Sequence, residues 1–339
     1  MPTLGYMVEP STTSSASRFT DRVLLGRAVA RGYGTLRVSV LTGTVLALGR
    51  YHLAPAQTSD VTLHRRLTGG RPAAAGDGFV QVSLTLPHRS ALVSDEPLAL
   101  APEQILNRAV RGLLGGLEAA GVSSVYPGRD TITVARRTIA VMGLEIDARG
   151  ATLVDACVAV EHDQSMLPHL LERADGDGVI GAAMVGPDDA TSLVRELRRR
   201  PSIDEVASSI RHGYESRLGI GFVEEDALPS TPEVDDGFVH NRAPRPDLDR
   251  HGSLPTMLGL IESHARLAAD GTLDEVMLAG DLLAPSGTID RLESALRGCA
   301  AVRARLEAVI ADVVRPPNDF ILGVGPLGTI AEVIARGVG

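Results

Sequence analysis

The sequence predicts a mixed α+β protein of two domains, and three observations carry that expectation. Phe79 to Leu86 (FVQVSLTL) alternates at period two and stops at Pro87, the pattern of a half-buried strand. Pro102 to Ala120 is amphipathic at helical spacing, with Pro at its start and Gly121 just past its end. From Leu228 to Ser253 the periodicity fades into Pro, Asp, Arg and Gly, including Ala-Pro-Arg-Pro at 243–246, so the chain is expected to divide there. With 339 residues, 44% of them hydrophobic, it has enough apolar surface for one large core and a smaller second one. The expected layout is a first domain over 18–227, a linker over 228–253 and a second domain over 254–339.

Arg18 to Arg31 carries Val23, Leu24, Arg27 and Ala30 at helical spacing and reads as a short helix. Leu36 to Val40 (LRVSV) and Thr44 to Gly49 (TVLALG) are β-rich runs split by Thr42-Gly43, so they read as paired strands. Val61 to Arg66 is another short strand, running into a turn at Gly69-Gly70. Thr131 to Val134 and Thr138 to Ile146 flank a turn at Ala135-Arg136-Arg137, and Ala151 to Val160 is a strand suited to pair with the second. Ser165 to Ala174, Ala190 to Arg199 and Ser202 to Leu218 are helical stretches, giving helices on one side of a largely antiparallel sheet. Past the linker a helix is expected at Thr256 to Ala269 and a strand at Leu273 to Ala279. Helices at Thr288 to Leu296, Ala301 to Val313 and Thr329 to Ala335 complete a small α/β module.

A net charge of −9, with no basic cluster interleaved with aromatics, argues against nucleic-acid binding, because neutralising phosphates needs a basic face. Arg198-Arg199-Arg200 reads as a solvated helix end. All 33 basic residues are Arg; the chain contains no Lys. Cys157 and Cys299 are too few for a disulfide framework or a zinc site, and a reducing cytoplasm is the simple reading. Neither a basic-then-apolar leader over Met1 to Ser17 nor a run of eighteen apolar residues is present, so secretion and membrane spanning are not expected. Glu224-Glu225-Asp226 and Asp235-Asp236 read as solvated loop charge more readily than as metal ligands.

The segment that carries chemistry is Arg65-Arg66-Leu67-Thr68-Gly69-Gly70-Arg71, between a strand and the loop Gly76-Asp77-Gly78. Paired glycines let backbone N–H groups approach an anion, and flanking arginines offer bidentate contacts to phosphate or carboxylate. A tight turn with solvated arginines is the competing reading. No helix starts at the glycines and no Lys-Ser/Thr follows them, so neither a Walker loop nor a dinucleotide fingerprint fits.

The run R-R-x-T-G-G-R resembles the signature of the lipoate-protein ligase and octanoyltransferase family, and its surroundings agree in order. Leu36 to His52 resembles the family's strand pair ending in leucine-glycine-arginine-tyrosine, and Gly78 to Pro87 its next core strand. Tyr126-Pro127-Gly128-Arg129-Asp130 stands where the family has glycine-arginine-asparagine-aspartate, and Asp163 matches the aspartate ending its acyl-pocket strand. Gly271 to Asp281, followed by Leu292 to Gly298, resembles the accessory domain of bacterial lipoate ligases. The resemblance implies a biotin/lipoate-protein-ligase-like mixed sheet with flanking helices, plus a small C-terminal α/β accessory domain.

It also implies acyl-adenylate chemistry: a carboxylic acid, lipoate- or octanoate-like or different, joined through ATP and Mg²⁺ to a lipoyl-domain lysine or a small amine. On this basis Arg65, Arg66, Thr68, Gly69 and Gly70 are expected to cradle phosphate and carboxylate. Arg71, Asp77, Gly128, Arg129 and Asp163 border the same site, and Asp130 holds Mg²⁺ or the adenylate. The family's active-site lysine aligns with Thr138 without a gap, or with Arg137 after a one-residue shift, so neither alignment restores it. Arg137 is the candidate replacement cation, although a planar guanidinium is not equivalent to an ammonium. Two functions follow: a ligase with an altered acid or acceptor, or a non-catalytic protein that binds an acyl ligand or a lipoyl-domain partner.

Overall fold

In the computed structural model, which describes residues 3–55, 61–175, 178–228 and 237–339, the backbone forms three sheets. In chain order the elements begin β1 (Thr3–Thr12), α1 (Ser14–Arg31), β2 (Thr35–Leu41), β3 (Thr44–Leu48), β4 (Thr62–Arg65), β5 (Ala73–Gly76) and β6 (Phe79–Leu86). They continue with α2 (Gln104–Ala119), β7 (Thr131–Val134), β8 (Arg137–Ile146), β9 (Thr152–Ala159), α3 (Leu167–Ala174), α4 (Leu193–Leu197), α5 (Ile203–Leu218) and β10 (Gly221–Glu224). The C-terminal part comprises β11 (Arg250–Pro255), β12 (Leu260–Leu267), β13 (Leu273–Gly280), α6 (Ser286–Leu296), α7 (Arg303–Val313) and α8 (Gly328–Val338).

The large sheet runs β10-β1-β2-β6-β9-β8-β7; β1 is parallel to β10 and β2, and the remaining pairs are antiparallel. All eight residues of β6 are buried, so the expected half-buried strand is a central one covered on both faces. Alternation still decides what each face meets. Leu36, Val38, Val80, Val82 and Leu84 enter the apolar core that α2 and α5 also build. Arg37, Ser39, Gln81, Ser83 and Asp155 point the other way, and Ser17 and Asp21 bring α1 onto that side by bonding Arg37. Helices therefore cover both sides of the sheet, not one. Local signals set the helix ends: Thr13 caps α1, and Ser202 with Glu205 forms a capping box on α5.

Four other expectations change. Strand β1 was not anticipated, because its Ser/Thr-rich end masks a buried run, Leu4 to Met7. Strands β2 and β3 do not pair with each other: both edges of β2 are taken, by β1 and β6, and β3 starts a separate sheet ordered β4-β3-β5. The helix expected at Thr256 to Ala269 is the strand β12, held between β11 and β13 with alternating burial. Part of the expected linker is anchored: β11 lies in it, Arg242 binds Glu293 at 2.9 Å, and the Arg242 carbonyl accepts from Ala54 N–H. Asp235-Asp236 and the rest of 229–236 lie outside the described residues. Among the described residues, no helix is long and apolar enough to cross a membrane.

The C-terminal part has its own core, including Ile261, Leu278, Ile289, Leu292, Ile330 and Ile334, and it locks onto the first through polar contacts. Tyr51 O–H donates to Ala284 O at 3.1 Å, and His52 Nε2 lies 3.0 Å from Asp281 Oδ1. Glu145, on β8, lies near Ser286 at the start of α6, and burial pushes its carboxyl from the usual 4.5 up to about 7. A carboxyl whose folded pKa is raised contributes stability that is fully present below its unfolded pKa and lost as pH rises through the folded value. Glu145→Gln should therefore remove a fall in stability between about pH 4.5 and 7, worth on the order of 3 kcal/mol. Urea titrations of parent and variant across this window check it; parallel curves would refute the assignment.

Candidate functional site

Strand β4 delivers Arg65 and Arg66 into the arginine-glycine loop, which lies across β8. Gly69 N–H donates to Leu144 O at 3.0 Å, and Gly143 is required where the loop crosses: a Cβ there would sit 2.3 Å from Thr68 Oγ1 and 2.5 Å from Asp155 Oδ1. Asp155, from β9, ties the loop down, accepting from Arg66 Nη1 at 3.0 Å and from Thr68 Oγ1 at 2.8 Å. Arg66 Nη2 donates to Arg71 O at 2.6 Å, closing the turn on itself. Gly70, at φ 98°, donates its N–H to Leu282 O at 2.7 Å, so the C-terminal part rests on the glycines.

Apart from Arg66 Nε, the loop donors expected to meet an anion are spent within the protein. Both glycine N–H groups have backbone acceptors. Arg65 is fully buried and donates to the carbonyls of Val239, Gly49, Arg50, His52 and Arg242, which makes it an internal pin instead of a phosphate ligand. Burial, reinforced by Arg242, Arg50 and Arg18, lowers its pKa to about 9. Arg71 places Nε 2.9 Å from both oxygens of Asp130, adds its own N–H to Oδ2, and donates Nη2 to Leu258 O.

Asp130 is thus enclosed and its charge is balanced by Arg71, an arrangement that disfavours the expected Mg²⁺ role. Among the described residues, no cluster of three or more His, Cys, Asp or Glu is arranged to hold a metal.

The remaining expected residues are not gathered at the loop by any hydrogen bond. Asp77 is exposed and accepts from Gly43 N–H; Gly128 and Arg129 are exposed ahead of β7. Asp163 caps the short turn Gln164–Met166. Arg137 Nη2 donates to Glu196 at 2.7 Å, and Thr138 O accepts from Thr191 N–H, so both face α4 and its approach. Cys157 is buried with Sγ 3.0 Å from Ala74 O, and burial pushes its thiol up to about 12, which keeps it protonated and inert.

A second set of residues was not singled out in the sequence: a buried polar layer between α1, β4 and the inner face of the large sheet. Arg37, with no exposed surface, holds Glu9 at 2.6 Å through Nε and Asp21 at 3.1 Å through Nη1. Burial raises the Asp21 carboxyl to about 6, against the pull of Arg37. His64 is driven down to about 3 by burial and then by Arg18 and Arg66, so it is neutral. Ser39 and Gln81 pair across β2 and β6, and Gln81 pairs with Cys157 on β9. Besides Arg37 Nη2, which meets Glu9 as an ion pair, four atoms of this layer are buried without a hydrogen-bond partner: Ser39 Oγ, His64 Nδ1, Arg66 Nε and Gln81 Nε2. The signal was present as alternation of Arg37 and Ser39 with Leu36 and Val38, and of Gln81 and Ser83 with Val80 and Val82.

No family model and no curated protein sequence matches this chain. Solved structures do. A crystal structure of P. falciparum LipL1 in complex with lipoate superposes with a TM-score of 0.66 at 11% identity, over 98% of this chain and 99% of that one. The putative lipoate protein ligase Ta0514 from T. acidophilum, with bound lipoic acid, gives a TM-score of 0.47 at 17% identity, over 67% of this chain and 90% of that one. The biotin protein ligase from Aquifex aeolicus gives 0.34 at 13% identity, over 63% and 69%. Across both its large sheet and its C-terminal part, the chain therefore has the fold of a lipoate-protein ligase.

Proposed function

We propose that this protein binds a small, polar carboxylic acid beneath the arginine-glycine loop and does not adenylate it. The observation that supports this is the set of four partnerless buried atoms in the layer under the loop. Buried polar atoms without partners cost roughly 1–3 kcal/mol each, so a polar occupant, admitted by an opening of the packed layer, would relieve that cost. Arg66 Nε and Gln81 Nε2 supply N–H donors for acid oxygens; Ser39 and His64 add a hydroxyl and a ring nitrogen for a polar substituent. A long apolar chain in the same place would leave all four unpaired.

ATP and Mg²⁺ fit poorly. The glycine N–H groups, Arg65 and Arg71 already have acceptors, Asp130 is held by Arg71, and no lysine exists to replace them. One observation favours the alternative, an adenylate-forming ligase using Arg137: its Nε is buried and partnerless, although Nη2 is held by Glu196.

Two measurements on the same panel of acids separate the readings. Calorimetric titration should show short hydroxylated acids or diacids binding at least about ten-fold more tightly than octanoate or lipoate, the margin set by one or two unpaired groups. ATP–pyrophosphate exchange should stay at background with every acid. Acid-dependent exchange would establish the ligase instead, and tighter binding of octanoate would refute the polar ligand.

A further inference from the structure

The outer face of the C-terminal sheet sets two histidines against each other. On β12, Ile261, Ser263 and Ala265 turn inward, with Ser263 Oγ bonded to Val333 O on α8, so Glu262, His264 and Arg266 take the opposite face. The antiparallel register puts His251 of β11 directly across from His264, and directly opposed residues share a face. Their Nδ1 atoms lie 2.8 Å apart, and the rings meet edge to face at 73° with centroids 4.8 Å apart. His251 is exposed and the His264 side chain is 16% exposed, so the pair opens to solvent on the His251 side. Behind it, Nε2 of His264 is buried without a hydrogen-bond partner, and the nearest carboxylate oxygen, Glu262 Oε2, is 3.8 Å away. That carboxylate favours a proton on Nε2 and leaves Nδ1 as a lone pair, the tautomer of a metal-binding histidine with a carboxylate at its back. In the metal-free pair, His251 Nδ1–H donates to that lone pair.

The geometry points to a surface site for a divalent transition-metal ion that takes its ligands at right angles, Cu²⁺ or Ni²⁺, held by Nδ1 of His251 and Nδ1 of His264. With metal–nitrogen bonds of about 2.0 Å, nitrogens 2.8 Å apart subtend about 90° at the metal, whereas a tetrahedral ion such as Zn²⁺ needs them about 3.3 Å apart. Right-angled nitrogen sets suit Cu²⁺ and Ni²⁺. On binding, the His251 proton passes from Nδ1 to Nε2 of the same ring, so both Nδ1 lone pairs meet the ion and no net proton is released. The two imidazoles supply two ligands and water completes the shell, which sets the site apart from the clusters of three or more His, Cys, Asp or Glu that are absent among the described residues. Next along the face, Arg266 is bound by Asp247, Asp274 and Glu275, so it presents no unbalanced positive charge to a cation. The pair shares no residue with the arginine-glycine loop or the polar layer and stands whether or not they bind an acid.

Calorimetric titration of the full chain, free of any histidine tag, with Ni²⁺ and with Zn²⁺ tests it. Expected are one saturable Ni²⁺ site, Zn²⁺ weaker by at least about ten-fold, and a loss of at least about ten-fold in Ni²⁺ affinity on His251→Gln. Stoichiometric Cu²⁺ should give a tetragonal electron paramagnetic resonance signal coupled to both imidazoles, and His251→Gln should remove it. His169→Gln, at an exposed histidine outside the pair, should change neither result. Circular dichroism verifies the fold of each variant, and His264→Gln decides the question if His251→Gln does not fold. Absence of saturable binding, Zn²⁺ binding as tight as Ni²⁺, or unchanged affinity in the folded variant would overturn the assignment and leave the two histidines a hydrogen-bonded pair.

Discussion

Asp155→Ala should lower the unfolding free energy by about 3–5 kcal/mol, the cost of leaving a buried charge without its partner. Asp155 is the only carboxylate bound to Arg66 among the described residues, at 3.0 Å, and it also receives the Thr68 hydroxyl at 2.8 Å. Burial raises the Asp155 pKa against the pull of Arg66, so the pair is not a large source of stability by itself. The loss comes from what remains. Arg66, 2% exposed and already lacking a partner at Nε, would also lose its acceptor at Nη1. Between Arg66 and Gly70 the loop would then be held to the rest of the protein by backbone contacts alone, to Leu48, Arg50, Leu144 and Leu282. Asp155→Asn retains the shape and one acceptor and should cost less than half as much. Urea unfolding measures both: a falling midpoint at constant slope reports stability alone. A loss under about 1 kcal/mol for the alanine variant would show that Arg66 finds another acceptor or stays hydrated.

What the sequence made legible was local. Strands β6, β8 and β9 and helices α2, α5 and α6 follow from period, caps and bounding turns, which involve residues close in the chain. Strands β2 and β3 were legible as strands but not as members of different sheets, because pairing depends on β1 and β6, many residues away. Residues 260–267 (LIESHARL) satisfy both periods: Ile261 and Ala265 are four apart, as a helix needs, yet also two steps from Ser263 on a strand face. Flanking strands β11 and β13 decide between them.

At the candidate site, the arginine-glycine run was visible because glycines and arginines in sequence restrict the backbone and its charge. Its acceptors were not, since Asp155, Leu144 and Leu282 come from three other segments. Alignment order made Arg137 the candidate cation but could not show that Glu196 would hold its Nη2. The polar inner face was readable only with the knowledge that both faces of β6 are buried, which makes Gln81 and Ser83 interior residues instead of solvent-facing ones.

Arg71→Gly should likewise cost about 3–5 kcal/mol, and its dependence on pH identifies the reason. Glycine at this position would strip Asp130, which has no exposed surface, of the only cation bound to it among the described residues. The Asp130 carboxyl is already raised by burial, and Arg71 is the largest influence holding it down. Without Arg71 the folded pKa climbs further above the unfolded one, so stability would be retained in acid and lost as pH rises. The deficit of Arg71→Gly should therefore be smaller at about pH 4 than at pH 8, and adding Asp130→Asn should recover at least half of it at pH 8. A second contribution is independent of charge: Arg71 also donates to Leu258 O at the β11–β12 turn and so links the loop to the C-terminal part. If the deficit were the same at both pH values and unaffected by Asp130→Asn, that link would be its source, and Arg71 would act as a strut between the two parts of the chain instead of a counter-ion. A coupling energy of at least about 1 kcal/mol between the two substitutions would establish the counter-ion, and would explain why this loop carries arginine where a glycine would suit phosphate better.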